Sequence, residues 1–132
     1  MQAPIRILAV DDDPINLEIV AEIIRDQCEV VFATSGEQAL KRVAQINPDI
    51  VLLDVMMANM DGFEVCRSIR QLEHIGSPAI IMVTARAFAC DIEAAKEAGA
   101  DDFISKPFRH DELRKLILRW IAVPRDLRPK LQ

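Results

Sequence analysis

A chain of 132 residues with 51% hydrophobic and 28% charged residues has the length of one ordinary domain and the composition of a folded one. A net charge of −5 argues against direct nucleic-acid binding, which needs a basic face for the phosphate backbone. No apolar run approaches the ~20 residues of a membrane span, and the opening MQAPIR lacks a signal-peptide core, so the expected location is cytoplasmic.

In chain order, Ile5–Val10 is an apolar strand that runs into Asp11, Asp12 and Asp13. Asp13-Pro14 is an N-cap followed by proline at the first helical position, which predicts a helix over Pro14–Asp26. Its apolar members, Ile15 and Ile19 among them, cover an arc of roughly 240°. Such width fits either a helix flanked by two neighbours or a stripe left exposed for a partner helix. A second strand, Glu29–Ala33, leads to the capping-box form Ser35-Gly36-Glu37-Gln38 and a helix over Gly36–Ile46. The third strand, Ile50–Leu53, ends against Asp54, and Asp61 caps a helix over Gly62–Leu72. The strand Ala79–Val83 is followed by Thr84, then by a helix over Cys90–Ala98 with Gly99 at its C′ position. The last pair is Asp102–Ser105, leading to Lys106-Pro107, and a helix over Asp111–Ala122. In that helix Leu113, Leu116, Ile117, Trp120 and Ile121 form one core-facing stripe. A domain over 1–123 is thus expected, with 124–132 as a polar tail or linker stub.

Five strands alternating with five helices predict βα units around a parallel sheet with helices on both faces. The runs at 5–10, 50–53 and 79–83 are continuously apolar, as central strands covered on both faces must be, and the other two fit the edges. Cys28, Cys66 and Cys90 are an odd number with no C-x-x-C spacing, so all three read as small buried thiols in a reducing compartment. His74 and His110 read as surface residues, and Met56 and Met57 as packing rather than soft-metal ligands.

In such sheets ligands sit at the carboxyl ends of the strands. There the chain places Asp11, Asp12, Asp54, Thr84 and Lys106, with no glycine-rich turn to cradle a nucleotide. Converging carboxylates repel one another, and a hard divalent cation such as Mg2+ relieves that repulsion. A carboxylate can also act as nucleophile in phosphoryl transfer, with the metal, an ammonium and a hydroxyl neutralising the phosphoryl oxygens. Asp54, the acidic pair, Lys106 and Thr84 are those parts.

The segments ILAVDDDPIN, PDIVLLDVMMANMDGFE, AIIMVTARA and EAGADDFISKPF, in this order, closely resemble the receiver domain of two-component response regulators. The resemblance implies a flavodoxin-like fold of strand order 2-1-3-4-5 that takes a phosphoryl group from a histidine kinase or phosphotransfer protein. By position it implies that Asp54 is the phosphoacceptor and that Asp11, Asp12, Asp54 and the Met56 backbone carbonyl hold Mg2+, for which Mn2+ substitutes. Lys106 would pair with the phosphoryl group and Thr84 would donate its hydroxyl. Phe103 would be the switch aromatic, repacking the surface of the fourth helix, fifth strand and last helix, and Lys106–Pro107 would be a cis peptide. The donor would dock near Ile15, Ile19 and the Pro107 loop. The resemblance also implies a signalling module rather than an enzyme acting on an external substrate.

Departures from the pattern matter too. Ala58 replaces a proline usual in the loop after the acceptor, which should loosen that loop. Arg86 and Met56 are expected to control access of hydrolytic water. Leu116 stands where the winged-helix branch of the family has an arginine, which weakens the expectation of a phosphorylation-dependent homodimer of that branch's kind. The output partner or effector domain is not legible. One rival is an aspartyl-phosphate phosphatase of the haloacid dehalogenase type, whose first-strand motif Asp11-Asp12-Asp13-Pro14 fits poorly. Another is a receiver that no longer takes phosphate, against which the complete residue set argues.

Overall fold

In the computed structural model the described residues are 5–57, 60–72, 78–85 and 88–122. They form β1 (Arg6–Val10), α1 (Pro14–Ile24), β2 (Glu29–Ala33), α2 (Gly36–Ile46), β3 (Ile50–Asp54), α3 (Gly62–Gln71), β4 (Ala79–Thr84), α4 (Ala89–Ala98), β5 (Asp102–Ser105) and α5 (His110–Ile121). All strand pairs are parallel and the order is β2-β1-β3-β4-β5. The two more polar strands, β2 and β5, are the edges, as their composition predicts.

Because strand side chains alternate, the sheet has two cores. Leu8, Val10, Val51, Leu53, Ile80 and Met82 point to one face, with Val43, Val65 and Ile69 of α2 and α3. Ile7, Ile50, Leu52, Ile81 and Val83 point to the other, with Ile23 and Ile24 of α1 and Leu113, Ile117 and Trp120 of α5. β3 and β4 are buried along their whole length, whereas β5 is only half-buried. Among the helices, α4 is anchored thinly: Ala95 and Ala98 are its buried residues.

Local chemistry accounts for the helix ends. The Asp13 carboxylate accepts the Ile15 N–H at 3.0 Å, and Pro14 follows at the first helical position. Ser35 Oγ accepts the Gln38 N–H at 3.1 Å. Gln38 Oε1 reaches back one residue further than the usual capping box, to the Thr34 N–H at 2.7 Å. Gly99 closes α4 with φ +99°, where a side chain would be strained.

The sequence expectation for the cysteines needs one correction. Cys28 and Cys66 are buried, and burial pushes both thiols up to about 11, where they are inert near neutrality. Cys90, on the first turn of α4, is exposed. No helix among the described residues is long and apolar enough to cross a membrane.

Candidate functional site

Parallel pairing carries the carboxyl ends of β1, β3, β4 and β5 to one rim. Val10 lies opposite Leu53, Asp54 opposite Val83 and Thr84 opposite Ser105, so Asp11, Asp54, Thr84 and Lys106 arrive together. Strand pairing extends through Asp54 and Thr84, one residue beyond each apolar run, which makes these two polar groups part of the rigid sheet. Both are buried, as is Asp11.

Carboxylate oxygens of Asp11, Asp12 and Asp54 all lie within 4.8 Å of one another, a grouping able to hold a metal ion. The donors are hard oxygens, which suits Mg2+ rather than a thiophilic metal. The Lys106 ammonium stands 3.3 Å from Asp11 Oδ2 and 3.3 Å from Asp54 Oδ2. The other oxygen of each acid is held by backbone: Asp13 N–H donates to Asp11 Oδ1 at 2.9 Å, and Met56 N–H to Asp54 Oδ1 at 3.1 Å. Lys106 itself is positioned by its main-chain N–H, which donates to the Thr84 carbonyl at 2.7 Å; the Lys106–Pro107 bond that follows is cis.

The electrostatics follow from crowding. Burial raises the Asp54 pKa above the usual carboxylate value, and the Asp11 carboxylate adds to the rise, against the Met56 N–H and Lys106. For Lys106, burial works to lower the pKa, but Asp54 and Asp11 outweigh it and hold the ammonium charged above its ordinary range. One ammonium shared between two buried acids therefore satisfies neither fully. That is an arrangement ready to take up another cation.

Gly62 explains how α3 comes so close to the end of β3. Its N–H donates to the Val55 carbonyl at 2.9 Å, and a Cβ at this position would stand 2.5 Å from the Asp54 carbonyl oxygen. Asp61 caps the same helix through the Glu64 N–H at 2.9 Å. In the sequence Gly62 is legible only as a helix start; the close approach leaves no local signal.

A second feature was not legible. A cleft of about 470 Å³ opens beside the acids, between α1 and the loop after β5. Ala9, Leu52 and Val83 form its floor, Leu17 and Val20 of α1 one wall, Pro107 and Phe108 the other. Ile19, 39% exposed, stands on its rim, and Ile15, 69% exposed, lies one turn along the helix. Of the two readings of the wide apolar arc on α1, part burial and part exposure is what the structure shows. Met56 is exposed beside Asp54, and Phe103 is half-buried against the α2–α4 face. His110 is exposed at the start of α5. Arg86, Ala58, His74 and the 124–132 tail fall outside the described residues.

Strand order 2-1-3-4-5, helices on both faces and an acid cluster at the carboxyl rim define a flavodoxin-like doubly wound domain with a carboxylate group able to hold a metal ion. Residues 7–118 match the response regulator receiver domain, and the chain belongs to that family. It is 37% identical over 115 residues to the signal transduction histidine-protein kinase BarA of Escherichia coli K12, covering 86% of this chain and 12% of that protein. It is 41% identical over 109 residues to the DNA-binding response regulator MtrA of Mycolicibacterium smegmatis, covering 82% of this chain and 46% of that one. The chain thus spans less than half the length of these relatives. Among solved structures, the chemotaxis protein CheY4 of Vibrio cholerae superposes with a TM-score of 0.84 at 30% identity, over 89% of this chain and 98% of that one.

Proposed function

We propose that this domain is a phosphoryl-accepting signalling switch with Asp54 as the acceptor. The observation that carries the reading is the Lys106 ammonium at 3.3 Å from both Asp11 and Asp54, within a cluster of three carboxylates. The donor is a phosphohistidine on a histidine kinase or phosphotransfer protein. An Asp54 carboxylate oxygen attacks phosphorus, the P–N bond breaks, and its electron pair leaves on the imidazole nitrogen.

Asp11, Asp12, Asp54 and the Met56 carbonyl would hold Mg2+, or Mn2+ in its place. That ion would supply positive charge to the phosphoryl oxygens and to the crowded acids. Lys106 turns from the acids to a phosphoryl oxygen, and the Thr84 hydroxyl donates to another. Met56, with Arg86, controls how readily water reaches the acyl phosphate. Phosphorylation adds about −1.5 to −2 charges to the rim, and the response is a repacking of Phe103 that alters the α4–β5–α5 surface.

The donor docks across Ile15, Ile19 and the Pro107 loop, where exposed apolar side chains border the acceptor. The output is a partner protein or an attached effector domain, and the working compartment is the cytoplasm. The test is incubation with acetyl phosphate and Mg2+ followed by intact-mass measurement. The expected result is one phosphoryl adduct on the parent chain and none on Asp54→Asn. An adduct that persists in Asp54→Asn, or its absence from the parent, refutes the reading.

A further inference from the structure

β5 is the strand held least. It is an edge, paired only to β4, and none of its four residues is fully buried. One end leads into Lys106, whose ammonium bridges Asp11 and Asp54. The other end is Asp102, about 13 Å away along a strand of this length.

The Asp102 carboxylate has three donors. Its Oδ1 accepts the Phe103 N–H at 2.8 Å. Its Oδ2 accepts the Trp120 indole N–H at 2.7 Å and an Arg119 guanidinium N–H at 3.0 Å. Phe103 packs on the α2–α4 face of the sheet and Trp120 on the α1–α5 face. One carboxylate therefore ties the two cores together around the sheet edge, and it joins β5 to the last turn of α5. Hydrogen bonds to an ionised acceptor are strong and directional, so a rotation of this carboxylate disturbs all three at once.

We infer that Asp102 is a positioning residue that carries the state of the Asp54 site to the last turn of α5. This rests on the phosphoryl-acceptor reading of Asp54. When Lys106 leaves the acids for a phosphoryl oxygen, the strand that holds it shifts. The Phe103 N–H moves relative to Asp102 Oδ1, and the bonds from Oδ2 to Trp120 and Arg119 are remade. The signal thus leaves the domain along α5 at residues 118–122, as well as across its outward face.

The test is amide hydrogen exchange at 118–122 with and without acetyl phosphate and Mg2+, in the parent chain, Asp102→Ala and Trp120→Phe. Trp120→Phe keeps an aromatic ring in the core and removes the indole donor, so it reports even if Asp102→Ala weakens the fold. Emission of Trp120, the single tryptophan, is a parallel readout in the parent. In the parent, phosphorylation should change exchange at 118–122 by about threefold or more, and in both variants by less than about 1.5-fold. Adduct yield by mass should be equal in all three. The inference is overturned if the parent is fully phosphorylated with no change at 118–122. It is equally overturned if the change persists undiminished in both variants. Absence of any adduct in the parent removes the acceptor reading itself and this inference with it.

Discussion

The two rims of the sheet treat the same residue type in opposite ways. At the amino-terminal rim Asp26 and Asp101 each meet a guanidinium: Arg114 donates to both oxygens of Asp26 at 2.8 and 2.9 Å and to the Ile23 carbonyl at 2.9 Å. Arg70 donates to Asp101 at 2.6 Å and to the Pro78 and Gly99 carbonyls at 2.9 Å each. There the Arg114 hydrogen bond holds the Asp26 pKa below the usual carboxylate value. At the carboxyl rim burial and Asp11 push Asp54 above it. One rim is closed by matched pairs, and the other concentrates negative charge around one lysine. The difference separates an end of the fold held by matched charges from an end where like charges are crowded.

The largest effect should come from the carboxyl rim. Lys106→Ala should lower the rate of phosphorylation by acetyl phosphate about 10²–10³-fold, measured by time-resolved intact mass, because a preorganised cation is lost from the transition state. Next, Gly62→Val should destabilise by about 3 kcal/mol in urea unfolding, since its side chain would collide with the Asp54 carbonyl and Val55. A smaller shift of the same midpoint should follow addition of Mg2+, about 1.4 kcal/mol at tenfold excess over its dissociation constant, and should vanish in Asp54→Asn with Asp12→Asn.

The smallest effects sharpen the contrast by their sign. In metal-free buffer Asp54→Asn should melt above the parent at neutral pH, because ionised Asp54 costs stability above its raised folded pKa. That gap should close as pH falls below the ordinary carboxylate value of 3.8. Asp26→Asn should melt slightly below the parent at neutral pH. Its folded pKa is lowered, so the charged acid stabilises above 3.8 and the gap closes as pH falls through the depressed value. Two gaps of the same sign would refute the comparison between the rims.

The periodicities that mark strands and helices reflect burial, and they placed all ten elements to within about two residues. β3 and β4 ran one residue longer than their apolar stretches because Asp54 and Thr84 are polar yet paired in the sheet. The apolar signal stops where the site begins. α1 ends at Ile24 rather than Asp26: the Gln27 N–H makes a tighter three-residue turn to the Ile24 carbonyl, and Asp26 faces Arg114. Asp11, Asp54 and Thr84 were legible as polar groups at one rim because each follows an apolar run. The cleft, the Asp102–Trp120 bond and the guanidinium pairs were not, because they join residues distant in sequence with no periodic trace.

Two methyl groups, from Ala95 and Ala98, are the buried anchorage of α4, where α3 and α5 insert valine, isoleucine, leucine or tryptophan. Sliding such a helix exposes little hydrocarbon to water, so its restoring force is weak. α4 is therefore the helix whose repositioning would forfeit the least buried hydrocarbon of α3, α4 and α5.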